Sequence, residues 1–181
     1  MRGLLVGRFQ PFHLGHLAIV SEIRAAHPEE PLLLGIGSAQ ISYTPENPFT
    51  ASERMEMILL ALEEAGLGGT IPVPLLDIDR HALWVPYVAS LLPRFERVYT
   101  SNPLTRTLFE ASGYEVVDVP WTNRAEWEGT RIRRSLATGT EWRGAVPPAV
   151  GRYLESLGAP ARLRLLGEAP RPPGGGSGPL P

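Results

Sequence analysis

The sequence predicts an α/β fold, a Rossmann-like parallel sheet with helices on both faces. Short apolar segments alternate along the chain with segments whose apolar residues recur at helical spacing, and this alternation builds parallel sheets. Glycine-rich or polar segments follow the apolar ones. Because ligands bind outside the carboxyl ends of the strands in such sheets, we expect these segments to meet at one cleft.

Five strands are predicted, at residues 3–6, 32–37, 70–76, 97–100 and 115–119. The second contains only leucine, isoleucine and glycine, which indicates burial on both faces. The third contains Pro72 and Pro74, which cannot donate hydrogen bonds to a neighbouring strand. It is therefore predicted to lie at an edge of the sheet.

Helices are predicted at 17–23, 83–92, 103–111, 130–138, 147–157 and 161–166. A further helix begins at Thr50, whose pairing with Glu53 fits a capping box, and ends before Gly66. Its predicted buried stripe is formed by Met55, Ile58, Leu59 and Leu62. We expect one domain over residues 1–166 and a disordered, proline- and glycine-rich tail over 167–181.

The overall composition is that of a globular protein with balanced charge. The chain has 181 residues, 43% of them hydrophobic, and a net charge of −2. Balanced charge disfavours an extended nucleic-acid surface. No apolar run is long enough for a membrane helix, and the amino terminus lacks the pattern of a signal peptide. We expect a cytoplasmic protein with no nucleic-acid or membrane partner.

The absence of two residue types narrows the chemistry. The chain has no cysteine, and all 17 of its basic residues are arginine. This excludes thiol nucleophiles and disulfides, a lysine-containing phosphate loop, and a covalent lysyl-adenylate. An anionic substrate must therefore be held by arginine, histidine, backbone N–H groups or a metal ion.

The first candidate site is the loop at residues 7–16, which follows the first strand. His13 and His16 lie three residues apart at the start of a helix, so they share one face of it. A helix amino terminus is an anion site, and the imidazoles add donors for phosphate oxygens. The alternative is a plain strand–helix turn with a buried histidine. Glycine, proline and Arg8 at fixed offsets after a strand favour the phosphate site.

Two further candidate segments follow the second and third strands. Glycines at 35 and 37 allow a ligand to approach the backbone, while Glu53 and Arg54 are also explained by helix capping and a surface ion pair. Asp77 and Asp79 suggest a metal site or an acid–base pair, and Trp84 could stack on a flat ring. A core position for Trp84 is about as well supported by the sequence.

The last two candidate segments contain Asn102 and Thr130. Asn102 and the proline after it are explained equally well by a simple turn. Thr130 begins an arginine-rich helix, and its hydroxyl, the helix amino terminus and the guanidinium groups together could hold a polyphosphate. The alternative is a solvated helix face rich in arginine.

These segments also resemble a known family. Residues 7–16 match Gly-x-Phe-x-Pro-x-His-x-Gly-His, the signature of the nucleotidyltransferase superfamily with a His-x-Gly-His motif. Gly-Ser-Ala-Gln at 37–40 and Asn-Pro-Phe-Thr-Ala-x-Glu-Arg at 47–54 are similar to the archaeal-type nicotinamide-nucleotide adenylyltransferases. The resemblance covers five segments in order, from Met1 to about Leu166. It implies adenylyl transfer from ATP to nicotinamide mononucleotide (NMN), giving NAD and pyrophosphate by direct in-line attack.

The resemblance also implies roles for individual residues. The catalytic residues would be His16, His13 and Arg133. ATP would contact Gly7, Arg8, Phe9, His13, His16, Asn102, Thr130 and Arg133. NMN would contact Gly37, Ser38, Phe49, Asp77 and Trp84. The chain differs from the usual family residue at Ser101, Glu128 and His81.

Partners and alternative functions follow from the same resemblance. It implies Mg²⁺ held mainly by the ATP phosphates, no protein metal site, and a homo-oligomer. One alternative is an adenylyltransferase for another phosphate, such as nicotinic acid mononucleotide or phosphopantetheine. Another is a non-catalytic nucleotide sensor on the same fold, which the intact His13, His16, Thr130 and Arg133 disfavour.

Overall fold

The computed structural model describes residues 1–78, 80–119 and 127–168. The strands are β1 (Gly3–Gly7), β2 (Leu32–Ile36), β3 (Thr70–Pro74), β4 (Arg97–Thr100) and β5 (Glu115–Asp118). The helices are α1 (Leu14–Ala26), α2 (Ala51–Glu64), α3 (His81–Leu91), α4 (Pro103–Ala111), α5 (Gly129–Thr138), α6 (Pro148–Ser156) and α7 (Ala159–Glu168). A 3₁₀ turn at Arg143–Ala145 precedes α6.

The five strands form one parallel sheet in the order β3-β2-β1-β4-β5. The chain builds outward from β1 to β3, then returns to place β4 on the other side of β1. Ligands of open α/β sheets bind at this kind of reversal, here between β1 and β4. The prediction that β3 is an edge strand is confirmed, and the fold class is confirmed with it.

Helices cover both faces of the sheet, because neighbouring leucines of β1 and of β2 point to opposite sides. Leu4 and Leu33 belong to one buried cluster with residues of α3 and α4. Leu5 and Leu34 belong to the other, with residues of α1, α2, α5, α6 and α7. The prediction that β2 is buried on both faces is therefore confirmed.

Of the four residues predicted for the buried stripe of α2, Ile58 and Leu62 are buried, and Met55 is only half-buried. Leu59 is 44% exposed, whereas Arg54 is completely buried. Met57 and Ile58, then Ala61 and Leu62 one to two turns further along, complete the buried face, and Leu59 lies to one side of it. The prediction considered only apolar residues, since a charged residue is almost never fully buried without partners. It therefore did not include Arg54 in the buried stripe.

The carboxyl-terminal helix is tied to the start of α2. The Glu53 carboxylate accepts a hydrogen bond from the backbone of Thr50 at 2.9 Å, so the predicted capping box is present. Two nitrogens of the Arg162 guanidinium donate to Glu53 at 2.7 and 2.8 Å. Helix α7 extends through Glu168, two residues into the segment predicted as a tail. The rest of that segment, 169–181, lies outside the described residues.

Candidate active site

A cavity of about 570 Å³ opens at the carboxyl ends of β1 and β4, where the strand order reverses. Its walls come from the loop after β1, the first turn of α1, the β4–α4 junction and the first turn of α5. All eight residues expected to bind ATP lie in these walls: Gly7, Arg8, Phe9, His13, His16, Asn102, Thr130 and Arg133. Ser101 and Glu128, two departures from the family pattern, also line it.

The histidine pair caps helix α1 and fixes the tautomer of both rings. The His16 backbone N–H donates to Nδ1 of His13 at 3.4 Å, and the His13 N–H donates to Nδ1 of His16 at 3.3 Å. Because each Nδ1 accepts a hydrogen bond, a neutral ring carries its proton on Nε2. The rings stack with centroids 3.6 Å apart. A Cβ on Gly15 would lie 3.1 Å from the His13 ring, so this position favours glycine.

Both histidines stay neutral at the pH of the cell. Burial, assisted by the charge on Arg133, lowers the pKa of His13 to about 3. Burial, together with the neighbouring His13, holds the pKa of His16 well below its usual value. The pair therefore offers Nε2–H donors to an anion without carrying full positive charge.

This neutrality predicts that the protein loses stability in acid. Below pH 6.5 both imidazoles become protonated in the unfolded chain but not in the folded protein. The free energy of unfolding therefore decreases as the pH is lowered. The loss is about 1.4 kcal/mol per pH unit and histidine, and for His13 it ends near pH 3. Urea unfolding at pH 7 and pH 5 measures it.

A His13→Asn/His16→Asn double variant is the control, because it keeps every carboxylate of the wild type. Its stability should fall less between pH 7 and pH 5. An identical fall in both proteins would contradict the prediction.

Helix α5 forms the opposite wall through Arg133. Its guanidinium donates to the Gln10 carbonyl oxygen at 2.9 Å and to the Thr130 hydroxyl at 3.3 Å. Burial, and then the nearby Arg8, lower the pKa of Arg133 to about 10, so it remains a cation at neutral pH. Beside it the amino terminus of α5 points its N–H groups at the cavity, an arrangement that attracts phosphate.

Asn102 serves the local fold as well as the cavity wall. Its side-chain oxygen accepts hydrogen bonds from the backbone of Leu104 at 2.9 Å and of Thr105 at 3.1 Å, which caps α4. The turn that the sequence allowed is therefore present. Because its side-chain oxygen accepts these two hydrogen bonds, the orientation of the Asn102 side chain at the cavity is fixed by the first turn of α4.

Three residues expected to bind NMN meet at the ends of β2 and β3. The backbone N–H of Ser38 donates to the Asp77 carboxylate at 3.0 Å, and that of Gly37 donates to the Gly7 carbonyl oxygen at 2.9 Å. The Gln40 side chain bonds both backbone groups of Asp77. These residues lie beside the cavity wall at Gly7 and are not part of its lining.

The remaining two expected NMN contacts have side chains in the core. Phe49 is completely buried in one cluster, and Trp84 is 4% exposed in the other, edge-on to Phe109 with ring centroids 5.5 Å apart. The structure thus places Trp84 in the core position that the sequence left open, since burying a large aromatic ring is strongly favourable. Stacking of Trp84 on a nicotinamide ring stays a prediction. Asp79 lies outside the described residues.

The sequence did not predict the burial of two polar side chains, Gln10 in the cavity wall and Arg54 behind it. Gln10 is 3% exposed and exchanges two hydrogen bonds with the Phe49 backbone, at 2.9 and 3.0 Å. Arg54 donates to the backbone carbonyls of Arg8 and Gly37, in the segments that follow β1 and β2. One signal was available for Arg54: side chains in a first helical turn point back toward the amino terminus, here toward the strand ends.

Other features of the described part of the chain bear on binding. Over residues 1–78, 80–119 and 127–168, no group of three or more histidine, aspartate or glutamate residues could hold a metal ion. Over the same residues, no helix is long and apolar enough to cross a membrane.

Comparison with known proteins identifies the family. The profile of the cytidylyltransferase-like family matches residues 4–135. The chain belongs to this family. Within the cytidylyltransferase-like family it is similar to a nicotinamide-nucleotide adenylyltransferase of Picrophilus torridus, 47% identical over 93% of this chain and 99% of that protein. A protein of the same name from Thermoplasma volcanium is 45% identical over 91% of this chain and 92% of its own. The resemblance stated from the motifs is confirmed.

A solved structure supports the fold of this cytidylyltransferase-like chain. It is a bifunctional NMN adenylyltransferase/ADP ribose pyrophosphatase from Francisella tularensis, with a TM-score of 0.73 and 21% sequence identity. The match covers 92% of this chain and 52% of that protein, so the chain spans about half the length of this neighbour.

Proposed function

We propose that this enzyme transfers the adenylyl group of ATP to NMN, forming NAD and pyrophosphate. The observation that carries the proposal is the convergence of His13, His16, Arg8 and Arg133 on one cavity at the strand reversal. The names of its archaeal relatives support the choice of substrates. The sensor alternative is disfavoured because the intact histidine pair lines this cavity together with Thr130 and Arg133.

In the proposed reaction a phosphate oxygen of NMN attacks the α-phosphorus of ATP. The new P–O bond forms as the bond from the α-phosphorus to the bridging oxygen breaks, and pyrophosphate leaves with the bonding electron pair. No covalent enzyme intermediate is required, so the absence of cysteine and lysine is no obstacle. The chain contributes positioning and stabilisation of charge, as in other phosphoryl transfers.

Each wall of the cavity has its own part in this reaction. The Nε2–H groups of His16 and His13 donate to the α-phosphate as its negative charge is redistributed in the transition state. Arg8 and Arg133 balance the charge of the departing pyrophosphate. The amino terminus of α5, with the Thr130 hydroxyl, holds the outer phosphates.

Mg²⁺ is part of the proposal as a companion of ATP. Among the described residues that line the cavity, Glu128 is the one carboxylate, and the two imidazoles are neutral. This donor set fits an ion whose remaining ligands are phosphate oxygens and water, which Mg²⁺ accepts readily. The ion would supply further neutralisation of phosphate charge.

Pyrophosphate release from ATP tests the proposal, with NMN, nicotinic acid mononucleotide and phosphopantetheine assayed in parallel. We expect release with NMN, together with NAD in the products, and weaker release with phosphopantetheine. If one of the other two phosphates is used in preference to NMN, the proposal is wrong about the substrate. No release with any of the three, by a folded protein that still binds ATP, would favour the sensor. Light scattering on the same preparation tests the proposed homo-oligomer.

A further inference from the structure

The Arg54 guanidinium is buried between the two halves of the site. It is completely inaccessible to solvent, and four hydrogen bonds run from it to main-chain carbonyl oxygens. One nitrogen donates to Arg8 at 2.9 Å and to Gly37 at 2.7 Å; the others donate to Ser38 at 3.0 Å and to Thr50 at 3.2 Å. A single side chain thus joins the segments after β1 and β2 to the start of α2.

Two of these segments hold non-glycine residues in the left-handed backbone conformation. Phe9 has a φ of 50° and Ser38 a φ of 51°. Such a conformation costs on the order of 1–2 kcal/mol at each position and persists only where surrounding contacts impose it. Arg54 supplies such contacts, because it bonds the carbonyl of Ser38 and the carbonyl that directly precedes Phe9.

The bonds from Arg54 are those of a cation. Burial, opposed by the charge on Asp77, lowers the pKa of Arg54 to about 10, which leaves it protonated at neutral pH. Hydrogen bonds from an ionised donor are about twice as strong as neutral ones. The planar fork of a guanidinium also fixes direction, which a lysine ammonium at the same place would not.

We propose that Arg54 is a positioning residue for adenylyl transfer, which sets the ATP-side loop and the acceptor-side loop at the separation and angle that in-line attack needs. The inference rests on the proposed function. On one side the held segment leads from Arg8 to His13 and His16. On the other it contains Gly37 and Ser38, and Ser38 is bonded to Asp77. Arg54 therefore acts through these loops.

Three variants test this role: Arg54→Met, Arg54→Lys and, as a matched control, Arg97→Met. Arg97 is also largely buried, with 12% of its side chain exposed, but it begins β4 at the opposite end of the sheet and pairs with Glu30 and Glu115. Its loss should lower stability without reaching the site.

Arg54→Met should lower kcat by about 10- to 100-fold, because small displacements of reacting groups cost rates of that order. The KM values for ATP and NMN should change less than kcat. Arg54→Lys keeps the charge without the fork, so we expect it to fold and to recover only part of kcat. If Arg54→Met does not fold, the kcat of Arg54→Lys tests the proposed role instead. Arg97→Met should retain kcat.

Hydrogen exchange gives a readout that does not depend on activity. In both Arg54 variants, amides of residues 9–13 and 37–40 should exchange faster than in the wild type, whereas in Arg97→Met they should not. Two results would overturn the inference about Arg54 and leave the proposed function intact. One is an active wild type with an Arg54 variant of unchanged kcat, and the other is an equal loss of kcat in Arg97→Met. A folded wild type inactive with every acceptor would overturn the proposed function, and this role for Arg54 with it.

Discussion

Replacement of His16 by alanine should lower kcat by at least about 100-fold while the protein remains folded, the usual loss for one donor to a developing charge. His16 lines the cavity, and because its Nδ1 accepts a hydrogen bond, the proton of the neutral ring lies on Nε2. Alanine removes that donor and leaves the charge on Arg133 in place. KM for ATP should therefore rise less than kcat falls.

His27→Ala is the matched control, because His27 caps the other end of the same helix. It lies near Arg97, away from the cavity, so its loss should leave kcat unchanged. Steady-state kinetics with NMN and ATP, together with circular dichroism, compare the variants. Near-normal turnover in folded His16→Ala would remove His16 from the mechanism.

Replacement of Arg133 by methionine should cost about 100- to 1,000-fold in kcat/KM, within the range for preorganised groups that stabilise phosphoryl-transfer charge. The half-buried guanidinium joins the loop after β1 to α5 through Gln10 and Thr130. Methionine keeps most of the apolar volume, so the expected loss reflects charge and hydrogen bonding. In the proposed mechanism Arg133 contacts phosphate before and during transfer, so KM for ATP should rise as well.

Arg134→Met on the same helix provides the control. Arg134 is exposed and lies directly after Arg133 in the same arginine-rich helix. Its loss should change kcat/KM by less than about threefold, as expected for an exposed residue away from the site. Equal effects of the two substitutions would mean that general positive charge on α5, and not Arg133 itself, binds phosphate.

Gly129→Ala tests the placement of Arg133 without removing it. An added Cβ would lie 3.2 Å from the Arg133 guanidinium and 3.3 Å from the Gln10 carbonyl oxygen. Both distances are tight, so the guanidinium must shift from its bond to Gln10. We expect an activity between those of the wild type and Arg133→Met.

The sequence by itself determined the fold and most of the residues that meet at the cavity, whose binding of ATP stays a prediction. Apolar runs, capping residues and breakers are local signals, so strands, helices and the edge position of β3 followed from them. His13, His16 and Asn102 lie in segments that directly follow β1 and β4, and a parallel sheet brings such segments to one edge. Thr130 and Arg133 lie on α5, well beyond the end of β5, and were assigned through the family resemblance. His13, His16, Asn102, Thr130 and Arg133 could therefore be assigned to a common cleft before any coordinates.

Tertiary structure alone decided the side chains whose place depends on distant partners. Trp84 could stack on a ligand or fill the core, and packing against Phe109 placed it in the core. The sequence indicated a surface position for Arg54. In the folded protein, hydrogen bonds to carbonyl oxygens of two other segments compensate for its burial. The neutrality of the histidines likewise comes from burial by the assembled walls. Desolvation and long-range hydrogen bonds are properties of the packed molecule, so no local pattern in the sequence encodes them.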